Sequence, residues 1–251
     1  MGLFNNYLKE GKGVSKEQNT PRLILFFQIY FRKFWNLISL NLLYIAFCIP
    51  IITIGPATAA MTKILRNYAR EEHAFLWGDF LETFKKNFKQ GFLYWLLDLF
   101  VTVFLIFDLM CVAALPNKML ITICTAGILF ALVVTAFMRY YVYSMMVTFK
   151  LNLRQLLKNA FIFCWAAFFK NILLTALIII ITWLMVFKMN FFLLLFLVAT
   201  LYFSTFGLLI NFMVNPTIKK YMIDGYDPQT GEKLEEEKYE GFDEPIPDEL
   251  D

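Results

Sequence analysis

Four ionisable residues stand inside long apolar stretches of the chain: Asp98, Asp108, Arg139 and Lys170. An ionised side chain in hydrocarbon is costly, so such groups face a bundle interior or water and pair with one another. Asp98, Arg139 and Lys170 fall in the same half of their segments. They are candidates for an ion-pair cluster that links three helices. The plainer alternatives are a structural pair, or Arg139 and Lys170 snorkelling to the headgroups. Asp108 lies nearer the other end, with Lys118 as its nearest cation in sequence, and is a candidate cavity residue. The second feature with chemical potential is a helix break. Pro50, Thr53, Gly55 and Pro56 interrupt an apolar run that otherwise reads as one very long helix. Proline removes a backbone donor and clashes with the preceding turn. In a bilayer the freed backbone groups must be satisfied by protein or water. Breaks of this kind mark binding sites in some transporters, and a plain hairpin corner has the same composition.

Soluble chemistry is not expected. The single histidine, His73, has no cluster of cysteines or carboxylates at metal-ligand spacing around it. The four cysteines, Cys48, Cys111, Cys124 and Cys164, all lie in apolar blocks without CxxC spacing and read as small buried hydrophobes. A disulfide between Cys111 and Cys124, across a short turn, is the less favoured reading. Phosphate-binding loop, dinucleotide fingerprint and nucleophile elbow are all missing. The sequence therefore implies no metal, no cofactor and no catalytic residue.

These residues are carried by membrane helices. The hydrophobic fraction is 59% and only 17% of residues are charged, which excludes an ordinary soluble domain. A bilayer span needs ~20 consecutive apolar residues. Residues 91–115, 119–147, 161–187 and 191–214 qualify, and 34–54 is a fifth block with Pro50 near its end. Ala57-Thr58-Ala59 has the form of a signal cleavage site, but the polar lead before the apolar run is too long for a signal peptide. Block 34–54 is therefore a retained membrane segment.

Charge places the blocks. Net charge is +3, yet residues 224–251 hold 12 acids and 2 lysines, leaving 21 basic and 8 acidic residues, or +13, for residues 1–223. The basic residues flank the apolar blocks, as cytoplasmic loops do. Nucleic acid is not an expected partner; the lipid bilayer is. The first 33 residues carry six cations, and Lys63, Arg66, Arg70, Lys85, Lys86 and Lys89 follow the break. Both groups stay inside only if the chain enters the membrane and returns at Pro50 to Pro56. The alternative is five plain spans with the N-terminus outside. Residues 79–90 form an amphipathic helix with Phe80, Leu81, Phe84 and Phe88 opposite Glu82, Lys85, Lys86 and Lys89, the pattern of an interfacial helix. Lys150, Arg154 and Lys158 form a second basic face. Basic helix, span, three-residue turn and span thus occur twice, about 72 residues apart, placing 116–118 over 188–190.

The expected fold is all-α: a polytopic transmembrane helical bundle of about five spans, with a broken or re-entrant hairpin at Pro50 to Pro56 and two amphipathic interfacial helices. Residues 1–223 form the membrane domain, and 224–251 an acidic, largely disordered cytoplasmic tail. Both termini are expected in the cytoplasm. The oligomeric state is left open.

The run 41–61, NLLYIAFCIPIITIGPATAAM, resembles the YesL-like family of bacterial membrane proteins, and 77–91, WGDFLETFKKNFKQG, is similar to that family's second block. The family is a domain of unknown function in Gram-positive bacteria, often encoded beside carbohydrate ABC importers and two-component sensors. The resemblance implies a bacterial cell-membrane location and ABC importer subunits or a sensor kinase as partners. It implies a non-enzymatic accessory or regulatory role in carbohydrate uptake. The alternatives are a permease subunit that carries solute itself, and an intramembrane enzyme. The resemblance brings no catalytic residues, and the acidic tail does not map onto it.

Overall fold

The computed structural model describes residues 21–112, 114 and 116–223, and these are helical almost throughout. The expected terminal tail, 224–251, and the N-terminal residues 1–20 lie outside the described residues. Helices α1 (Arg22–Arg32) and α2 (Phe34–Cys48) lead to a single 3-10 turn, Ile51–Thr53. Helix α3 (Ile54–Ala69) returns. Then come α4 (Leu76–Lys86), α5 (Phe88–Val112), α6 (Lys118–Met146), α7 (Leu153–Ala166), α8 (Phe168–Lys188), α9 (Phe191–Leu197) and α10 (Phe203–Ile218). A π-helical stretch, Val198–Tyr202, joins α9 to α10.

Among the described residues four helices are long and apolar enough to cross a membrane: α5, α6, α8 and the continuous run Phe191–Met222. The fifth block is shorter, because α2 stops at Cys48. Little of the four long helices is covered by protein. Only 6%, 6%, 11% and 17% of their most apolar windows is buried. Helix α3 is the opposite case, with 12 of its 16 residues buried. The core therefore forms around α3, which touches α2, α4, α5, α6 and α10. Ala57, Ala59 and Ala60 on α3 have no exposed surface, and such small residues let neighbouring backbones approach closely.

Helices α2 and α3 form the expected hairpin. Lys33 Nζ lies 5.2 Å from the Tyr68 ring at its open end, and Tyr44 and Thr58 hydroxyls are 3.2 Å apart near its closed end. Helix α3 begins two residues before Pro56, at Ile54. Pro56 thus falls in the first turn, where the backbone N–H has no helical partner anyway. At its far end α3 closes with Glu71 in the left-handed region (φ 61°). The Glu71 N–H donates to the Tyr68 carbonyl and the Glu72 N–H to the Asn67 carbonyl, a Schellman cap.

The twofold repeat expected from sequence is a threefold one. Short helix, one bent residue, longer helix and returning helix occur as α1–α2–α3, α4–α5–α6 and α7–α8–α9/α10. The bent residues are Lys33 (φ −104°, ψ 13°), Asn87 (φ −100°, ψ 13°) and Ala167 (φ −120°, ψ 28°). A phenylalanine comes after each: Phe34, Phe88 and Phe168. In every copy the residues four before, four after and seven after the bend are buried. These are Ile29, Leu37 and Leu40; Thr83, Gly91 and Tyr94; and Phe163, Asn171 and Leu174. Residues 161–187, expected as one span, are consequently split at Ala167, and the long apolar helix starts at Phe168.

Both amphipathic helices are present, but the apolar face of α4 is used on protein. The Phe80 ring lies 5.2 Å and the Phe84 ring 5.0 Å from Phe47 of α2, and Phe80 is fully buried.

Candidate functional site

The break between α2 and α3 is built by Thr53, Gly55 and Pro56. Helix α2 leaves its last carbonyls without helical partners. Thr53 Oγ1 answers one of them, donating to the Phe47 carbonyl at 2.5 Å, and lies equally close to the carbonyl of Pro50 in the turn itself. Gly55 meets α5 where Gly91 sits. A Cβ on Gly55 would fall against the Gly91 carbonyl oxygen and 2.7 Å from Trp95 Cβ. A Cβ on Gly91 would lie 3.0 Å from Pro56 N. Two glycines thus make a backbone-to-backbone contact that no other residue permits. Ile49, Ile51 and Ile52 point outward from the turn and are well exposed. The break is a filled corner with a greasy rim.

The depth of the corner is set by the register of α5 and α6. Gln90 Nε2 donates to the Leu151 carbonyl (2.7 Å), Tyr94 and Tyr143 rings meet at 5.1 Å, and Arg139 reaches Asp98. Gly91 therefore lies at the end of α5 that carries Lys89 and follows Lys85 and Lys86 of α4, and the corner lies there with it.

Asp98 and Arg139 are brought together, and Lys170 is not. Arg139 Nε donates to Asp98 Oδ1 at 2.8 Å, and its Nη2 donates to Thr102 Oγ1 at 2.5 Å. The side chains are 40% (Arg139) and 20% (Asp98) exposed, so the pair lies on the flank of the α5–α6 seam rather than in a closed interior. Lys170 is exposed two residues into α8, and among the described residues no carboxylate lies within 4.0 Å of it. The bend at Ala167 accounts for this: it ends α7 early and leaves Lys170 off the buried face of α8, which Asn171 and Leu174 occupy. Asp108 is half-buried in an open groove between α5 and α6 with Cys111, Cys124 and Gly127. A Cβ on Gly127 would meet nothing, and all four cysteines are free thiols. Among the described residues there is no group of three potential metal ligands.

Two polar residues outside the candidate set, Asn41 and Arg66, are more deeply placed. Asn41 is fully buried. Its Nδ2 donates to the carbonyls of Val198 (3.1 Å) and Ala199 (2.7 Å), and its Oδ1 accepts from the Ser204 N–H (3.0 Å). These are backbone groups that the π stretch frees from the regular helical ladder. The signal was an asparagine inside an apolar run. Arg66, expected in a cytoplasmic basic segment, is 6% exposed. Its Nη1 donates to the Val147 carbonyl (3.1 Å) and Thr148 Oγ1 (2.9 Å), at the C-terminus of α6, where a cation offsets the helix dipole. Thr148 Oγ1 donates onward to the Ser144 carbonyl, and Ser144 Oγ lies 3.4 Å from Asn215 Oδ1. A polar chain thus joins α3, α6 and α10.

Residues 37–109, less than a third of the chain, match the family described as "Protein of unknown function, DUF624". That stretch contains the hairpin, the Gly55–Gly91 contact, Asn41, Arg66 and Asp98. No curated protein and no solved structure matches the chain. Over residues 37–109 the chain is similar to a family of unknown function, and its helices are those of a membrane protein.

Proposed function

We propose that this protein is a non-enzymatic accessory or regulatory component of a bacterial cell membrane, associated with carbohydrate uptake through ABC importer subunits or a sensor kinase. The resemblance at 41–61 and 77–91 supplies the link to uptake. The observation that supports an accessory role is the division of labour in the molecule. The interior around α3 is filled, while six cations stand outward on α4, at the start of α5, and just before and along α7: Lys85, Lys86, Lys89, Lys150, Arg154 and Lys158. A conduction pathway needs the intramembrane charges and the helix break to share one water-filled space. Instead, the corner is packed shut at Gly55 and Gly91, and Asp98 is engaged by Arg139. The exposed cations suit a partner that presents carboxylates at the membrane surface.

The test is purification of the tagged chain from native membranes in mild detergent, with partners identified by mass spectrometry. Importer subunits or a sensor kinase should co-purify, and reversing Lys150, Arg154 and Lys158 to glutamate should release them. Solute uptake by the purified protein alone in liposomes would overturn the accessory reading.

A further inference from the structure

Two basic stripes converge on one surface. On α4 and the start of α5, Lys85, Lys86 and Lys89 recur at helical spacing and all are exposed. Glu82 shares that stripe and is also exposed, so the stripe keeps an excess of two positive charges. Before and along α7, Lys150, Arg154 and Lys158 are four residues apart and exposed, opposite the buried Leu156, Ala160 and Phe163. The stripes meet where Gln90, next to Lys89, donates to the carbonyl of Leu151, next to Lys150. Among the described residues none of the six cations has a carboxylate within 4.0 Å.

The described chain ends beside α7, on the face opposite its cations. The Tyr221 ring packs 6.0 Å from Phe163 of α7. Residues 224–251, the C-terminal remainder of the sequence, carry 12 acids and 2 lysines, a charge of −10 against the +13 of the rest. Glu235, Glu236 and Glu237 come 14 to 16 residues after Tyr221. An extended chain of that length spans up to about 45–55 Å, while α7 is roughly 21 Å long at 1.5 Å per residue. Reach does not limit the contact, and tethering keeps the local concentration of carboxylates in the millimolar range.

We infer that the acidic segment 224–251 docks on the Lys85–Lys86–Lys89 and Lys150–Arg154–Lys158 stripes of its own chain. It thereby acts as an internal competitor for any anionic partner of that surface. Because the stripes are exposed, the contact is weak per charge and salt-sensitive, which suits displacement. The inference holds whichever partner the surface serves, so it stands or falls separately from the link to carbohydrate uptake.

The test compares the full chain with a chain ending at Ile223, each at one copy per phosphatidylcholine nanodisc. Acetylation of Lys85, Lys86, Lys89, Lys150 and Lys158 by an N-hydroxysuccinimide ester is monitored by mass spectrometry. With a tail at millimolar effective concentration, a millimolar contact slows acetylation about twofold and a 0.1 mM contact about tenfold. The slowing should vanish at high salt and in the shortened chain, while Lys118 reacts alike in both. Carbodiimide should link Glu235, Glu236 or Glu237 to these lysines in the full chain. Equal reactivity of both chains overturns the inference. So does protection that appears only in phosphatidylglycerol discs regardless of the tail, which assigns the surface to lipid. Crosslinks that require two copies per disc also overturn it, in favour of a neighbouring chain.

Discussion

Single atoms decide most at Gly55, Asn41 and the Asp98–Arg139 pair. A methyl group on Gly55 would press on the Gly91 backbone, which cannot rotate away as a side chain does. Gly55→Ala should therefore cost about 1–3 kcal/mol, read as a lower unfolding temperature in detergent, because overpacking forces the neighbours apart. Asn41→Leu keeps the volume but strips three hydrogen bonds from the π stretch. Leaving buried backbone groups unpaired costs roughly 1–3 kcal/mol each before relaxation. Asn41→Leu should therefore destabilise at least as much as Gly55→Ala in the same assay. Asp98→Asn leaves Arg139 without its counter-charge on an apolar flank. Removing both charges together, Asp98→Asn with Arg139→Gln, should recover part of the loss. Both side chains are partly exposed, so the coupling energy of the cycle should be about 1 kcal/mol and not the several expected of a fully buried pair.

Helices express what these residues make possible, and here topology can be measured. The hairpin places both ends of α2–α3 on one side of the bundle, because Lys33 meets Tyr68 and Arg32 bridges Glu71 at 2.7 Å. With the native cysteines replaced, Lys118→Cys should react with a membrane-impermeant maleimide added outside intact cells. Ser15→Cys and Thr230→Cys should stay unreacted until lysis. Reaction of Ser15→Cys from outside would exclude the hairpin. Most of this architecture was legible in the sequence, since runs of apolar residues and prolines are local signals. The π stretch and the bend at Ala167 were not legible. Both lie in uninterrupted apolar runs where backbone geometry is set by tertiary contacts, with no glycine or proline in the π stretch or beside Ala167 to announce it. Lys170 groups with Asp98 and Arg139 only by its place along the block 161–187, which the bend at Ala167 divides. The burial of Arg66 was not legible either, because charge counting assigns a side of the membrane and is silent on the α6 C-terminus that takes the guanidinium.

At the scale of the whole molecule, packing is concentrated around one helix, and four long helices face outward with little protein cover. Most of the surface of these four is therefore available to lipid or to other membrane helices. The same filled centre supports the accessory proposal, since a carrier alternates access around a site that can open. The threefold arrangement adds a mechanical property. At each of Lys33, Asn87 and Ala167 the two helices share the bent residue, which donates four residues back and accepts from four residues ahead. Two helices joined through one shared residue form a short elbow, unlike a loop, which absorbs displacement. A push on α4 or α7 would reach α5 or α8 through a single residue, so each short helix is a handle on the long helix that follows it.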